Sequence, residues 1–97
     1  MLDSLKYEDY AGQINTRFQI VDSNFEVELV EVSEKKVTPH QEMFALTFRG
    51  GNERFLEQRL YHLKHEILGT GELFLVPIGR DSSGYTYEAV FNRFVEN

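Results

Sequence analysis

From Thr16 onward the chain keeps returning to one pattern, in which apolar and polar residues alternate over short segments separated by turn residues. In TRFQIV, Phe18 and Ile20 alternate with Arg17 and Gln19; in FEVELVEV, Phe25, Val27 and Leu29 alternate with Glu26 and Glu28. A period of two sends successive side chains to opposite faces, so these segments specify half-buried strands. Asp22-Ser23-Asn24 supplies turn chemistry between them. The alternation slips at Leu29-Val30, where a β-bulge would re-aim the strand.

The same reading extends to the C-terminus. MFALTFR points Phe44, Leu46 and Phe48 inward, and Gly50-Gly51-Asn52 breaks it. ELFLVPI is nearly continuous apolar sequence, which implies burial on both faces. The N-terminal helix is the element expected to cover its outer side. Asp81-Ser82-Ser83-Gly84 reads as a hairpin turn before YTYEAVFNRF, where Tyr85, Tyr87 and Phe91 form a stripe suited to core packing. Ahead of the strands, Tyr7, Tyr10, Ala11 and Ile14 fall on one face of a short amphipathic helix. Pro39 and its polar neighbours read as a loop over 33–42. Residues 52–68 fit two periods. Leu56, Leu60, Leu63 and Ile67 have helical spacing, while Tyr61, Leu63 and His65 alternate with His62 and Lys64.

At 97 residues the chain has apolar surface for one core, so 1–97 is expected to be a single domain. Sixteen acidic and ten basic residues leave a net charge of −6, which argues against nucleic-acid partners. No basic run suggests an anionic membrane surface. The longest apolar run, Leu73 to Ile78, is too short to cross a bilayer. MLDSLKYEDY lacks the apolar stretch of a signal peptide, so a soluble, cytoplasmic protein is the default expectation. There is no cysteine, hence no disulfide and no thiolate ligand.

Chemistry-bearing motifs are sparse. On a helix, His62-x-x-His65-Glu66 would place both imidazoles on one face, as a zinc site requires; on a strand the two point apart and cannot chelate. The strand reading makes His65 an inward imidazole bonded to a backbone carbonyl or a tyrosine. Gly69-x-Gly71 precedes a strand, so no helix N-terminus follows to hold phosphate, and it reads as a tight turn. Glu26, Glu28 and Glu31 read as a solvated face, and no serine sits in a nucleophile-elbow context.

The blocks LKYEDYAG, FEVELVEVSE, FALTFRG, YHLKH, LGTGELFLVPIG and YEAVFN, in this order, resemble a family of small bacterial domains of unknown function. The resemblance covers essentially the whole chain. Its most specific pieces are Phe74-Leu75-Val76-Pro77-Ile78-Gly79 and Tyr87-Glu88-Ala89-Val90-Phe91-Asn92. It implies a strand over 60–66 and a genomic setting near phage-tail-collar-like genes. The chain departs from the family pattern at Lys6, where a capping hydroxyl is expected, and in the helix-prone NERFLEQR, which makes a helical turn plausible within 52–59.

Together these readings predict a mainly β fold: a small antiparallel β-barrel or strongly curved sheet of about six strands, with a short N-terminal helix packed on it. The expected strands are 16–21, 25–33, 43–49, 60–66, 71–78 and 85–94. The expected function is a non-catalytic structural or adaptor module with a tail-collar-like protein partner, needing no cofactor or metal. The alternative is a small-ligand or glycan-binding β-barrel with its mouth at 33–42 and 50–59. The residues expected to touch a partner are Lys35, Lys36 and His40, which concentrate positive or titratable charge on an acidic domain.

Overall fold

The alternating segments form six strands: β1 (Arg17–Ile20), β2 (Glu26–Thr38), β3 (Gln41–Arg49), β4 (Arg59–His65), β5 (Gly69–Asp81) and β6 (Gly84–Phe94). A 3-10 turn at Leu2–Ser4 and helix α1 (Tyr7–Ala11) precede them. The computed structural model describes the backbone of residues 2–38, 41–52 and 54–94, and their side chains except those of 3, 34–38, 93 and 94.

All pairings are antiparallel and belong to one sheet, in the order β1-β2-β3-β6-β5-β4. β4 also pairs with β1 through Gln19↔Lys64 and Ile20↔Leu63, so the order is cyclic. The six strands and the short helix match the sequence reading. So does the slip in β2: the register jumps between Leu29 and Glu31, leaving Val30 as the extra residue. Two further bulges fall at Lys35 and Ile78.

The inner face is filled by large side chains, with Phe18, Leu29, Phe44, Phe48, Leu63 and Tyr87 fully buried. Aromatic contacts link the strands, Phe18 meeting Phe48 edge-on at 5.2 Å and Phe44 stacking on Phe91 at 4.6 Å. Each end of this core has its own plug. At one end, Tyr10 and the fully buried Leu2 lie against it, and the Tyr10 hydroxyl donates to the Leu2 carbonyl. Gly71 permits this approach, since a Cβ there would stand 2.5 Å from the Leu2 nitrogen. At the other end Leu56 is buried, its N–H donating to the Tyr87 hydroxyl at 3.0 Å.

Several expectations are corrected. The stretch 33–42 is no loop: β2 and β3 run through it, and only Pro39-His40 separate them, outside the described residues. The described residues of 52–58 contain no helix; that segment is irregular and tied down by Tyr87 and by Tyr61, whose hydroxyl donates to the Glu57 carbonyl at 2.7 Å. α1 does not cover ELFLVPI. It packs on the aromatic end of the core, with Tyr7 and Tyr10 against Phe44 and Tyr10 against Phe91. Its start lacks a capping hydroxyl, and the Asp9 carboxylate instead accepts from the Lys6 backbone N–H at 2.9 Å.

In ELFLVPI only Leu73 and Leu75 are buried, while Phe74 is 47% exposed. A strand has two faces whatever its composition, and a sheet closed on itself buries one of them. Stability should follow this division. Phe44→Ala is expected to cost about 3–5 kcal/mol, and Phe74→Ala about 1 kcal/mol or less. Urea unfolding of the two variants measures both values, and a larger loss for Phe74→Ala would contradict the assignment of faces.

Candidate functional site

β4 separates the two histidines of the sequence motif. His62 is exposed, and His65, at 4% exposure, lies on the opposite face inside the fold. The pair therefore offers no common point for one ion. Among the described residues no group of three or more His, Asp or Glu side chains converges.

His65 is held at both ring nitrogens. Nδ1 accepts from the backbone N–H groups of Ile67 and Leu68, each at 3.0 Å. Because Nδ1 accepts, the ring proton belongs on Nε2, which donates to the Thr16 hydroxyl oxygen at 2.8 Å. Thr16 in turn donates to the Gln13 carbonyl at 2.6 Å. The imidazole also lies 4.4 Å from the Phe18 ring. The expected backbone-carbonyl or tyrosine partner is thus replaced by a threonine and two amides. Thr16 is separated from His65 by 49 positions, and nothing in either segment's pattern announces the pair.

Burial lowers the His65 pKa, against an opposing pull from the Glu66 carboxylate. Burial raises the pKa of Tyr61 and of Tyr87, and at Tyr87 the N–H donated by Leu56 pulls the other way.

Of the residues expected to touch a partner, Lys35 and Lys36 lie on β2. Lys35 is the bulged residue of β2, Lys36 is in register with Met43, and His40 lies outside the described residues. Within β2, only Glu26–Glu28 pair with β1, and Leu29 exchanges bonds with Asn15 and Thr16. From Val30 to Thr38 β2 therefore has a strand neighbour on its β3 side alone, among the described residues.

Among the surface grooves formed by the described residues are two with contrasting walls. One, of about 380 Å³, has polar walls that include Gln13, Arg17, Gln19, Lys64 and Glu66 beside the His65 niche. The other, of about 260 Å³, lies between β5 and β6 and is lined by Glu72–Phe74 and Ala89–Asn92.

The fold is that of a small, single-sheet antiparallel β domain with a plugged interior. The chain belongs to a family described as a domain of unknown function, DUF6916, whose model matches residues 5–91. No curated protein and no solved structure matches it.

The His65 niche makes stability depend on pH. Its pKa is lower in the fold than the value of about 6.5 expected in the unfolded chain, so between the two values the unfolded chain binds more protons. Stability from this group is complete above about pH 6.5 and declines as pH falls toward the lowered folded value. His65→Asn, which keeps a side-chain acceptor but does not titrate, should flatten this part of the profile. Urea midpoints measured between about pH 5 and 7.5 check it, and identical slopes for wild type and variant would contradict the assignment.

Proposed function

We propose that this chain is a non-catalytic structural or adaptor module that makes protein contacts through its β2–β3 hairpin, in a phage-tail-like or appendage-related system. The observation that carries this reading is the one-sided pairing of β2 from Val30 to Thr38. An unpaired strand edge presents a row of main-chain donors and acceptors that another chain can extend. At about 3.3 Å per residue, the thirteen residues of β2 span ~43 Å, comparable with the molecule's 45 Å long axis. Lys35 and Lys36 sit in the outer half of this strand.

The non-catalytic part of the proposal is supported by how the polar groups are used. The buried His65 has both nitrogens engaged, and the hydroxyls of Tyr10, Tyr61 and Tyr87 bond the backbone of the two plugs. The gene setting is supported by the family resemblance of the sequence blocks. A second reading, a small-ligand or glycan-binding β-barrel, has the polar groove beside Lys64 in its favour. Amide shifts at Thr16 and Lys64 on titration with neutral oligosaccharides would support that reading instead.

The direct test is a pull-down with tail-collar-type proteins encoded near the gene, comparing wild type with Lys35→Glu, Lys36→Glu. Binding by wild type and its loss in the double variant is the expected result. Equal recovery of both, or turnover of a small molecule by the purified protein, would contradict the proposal.

A further inference from the structure

β5 changes neighbours along its length. Residues Gly69–Leu75 pair with β4, and Val76–Asp81 pair with β6. β6 pairs with β3 from Thr86 to Phe94, but its ladder with β5 stops at Val76↔Glu88. Beyond that point the strands part, and the groove lined by Glu72–Phe74 and Ala89–Asn92 opens between them.

The hydrogen-bonding phase shows what faces this opening. Gly50 donates to the Tyr85 carbonyl at 2.9 Å, continuing the β3–β6 register that ends at Arg49↔Thr86. Odd-numbered residues of β6 thus turn their main chain to β3, and even-numbered ones turn theirs to β5. Val90 and Asn92 consequently present N–H and C=O to the groove. From Val76, opposite Glu88, the same alternation brings the main chains of Phe74 and Glu72 to the other wall. Among the described residues, neither set has a strand partner on that side.

The outer rim is apolar. Phe74 is 47% exposed, Val90 is 53% exposed, and Leu60, in register with Phe74 on β4, is 49% exposed. The floor is made by the inward residues Leu73, Ala89 and Phe91. Among the described residues the one charged residue in the lining is Glu72, and Glu88 follows where the strands rejoin.

We propose that the parting of β5 and β6 is a docking site for a short extended segment of a partner protein, apolar at alternate positions and carrying a lysine or arginine opposite Glu72. Such a segment completes the interrupted ladder with main-chain bonds, sets its apolar side chains beside Phe74 and Val90, and brings a cation to an acidic wall. The site is separate from the β2 edge and does not rest on the hairpin reading.

The test uses three synthetic hexapeptides of alternating valine and threonine with, respectively, a central lysine, a central glutamate, or a central lysine with prolines in place of two threonines. Amide shifts and amide exchange are followed by NMR in wild type, Glu72→Lys, Val90→Lys, and Lys35→Glu, Lys36→Glu. The expected result is binding of the lysine peptide with slowed exchange at Phe74 and Val90, and roughly tenfold weaker binding by the first two variants. Binding of the glutamate or proline peptide should be weaker than that of the lysine peptide, and the hairpin variant should behave as wild type. Equal binding of all three peptides, or no change at residues 72–74 and 90–92, would overturn the proposal. Sedimentation showing a wild-type dimer that Val90→Lys dissociates would overturn it too, by making a second copy the occupant.

Discussion

The structure depends on a short seam. β1 has four residues, yet it must bond to β2 on one side and β4 on the other for the strand order to close. Its register with β4 comprises two pairs, supplemented by the Val21 N–H donated to the His62 carbonyl at 2.9 Å. His65 extends the seam with a side chain: its ring joins Thr16, just before β1, to the turn after β4. Closure defines an inside, and the aromatic core, the N-terminal plug and the Leu56 plug all follow from having an inside to fill.

The same closure explains where chemistry goes. A buried polar group needs partners, and in this domain three tyrosine hydroxyls find them in the backbone of neighbouring segments, while His65 uses two backbone amides and the Thr16 hydroxyl. His65 and the three tyrosine hydroxyls thereby act as fasteners for irregular chain. On the proposed reading, recognition falls to the sheet itself, where pairing among the described residues is one-sided or interrupted: β2 beyond Leu29, and the parting of β5 from β6. At the second of these, main-chain groups without a strand partner among the described residues coincide with exposed apolar side chains.

Much of this fold was legible: period-two alternation located β1, β2, β3 and β6 and marked the β2 bulge at Leu29-Val30, the apolar run ELFLVPI located β5, and the family resemblance decided for β4 where two periods fitted equally. The errors have physical causes. Pro39 suggested a loop, but a turn between long antiparallel strands needs few residues, so 33–42 became mostly strand. ELFLVPI looked doubly buried because composition carries no information about which face meets another layer, and the exposed Phe74 shows the difference. Gly71 read as turn chemistry, whereas its use is to let Leu2 approach β5. The Thr16–His65 bond and the β5–β6 opening were not legible because both arise from long-range register.

The seam is held by a neutral His65 whose Nδ1 accepts and whose Nε2 donates. Long-range proton–nitrogen NMR spectra of the imidazole, recorded at neutral pH, report the tautomer directly. The expected result is a protonated Nε2 and an unprotonated, hydrogen-bonded Nδ1, with slow exchange at the Ile67 and Leu68 amides. A ring protonated on Nδ1, or fast exchange at both amides, would contradict it.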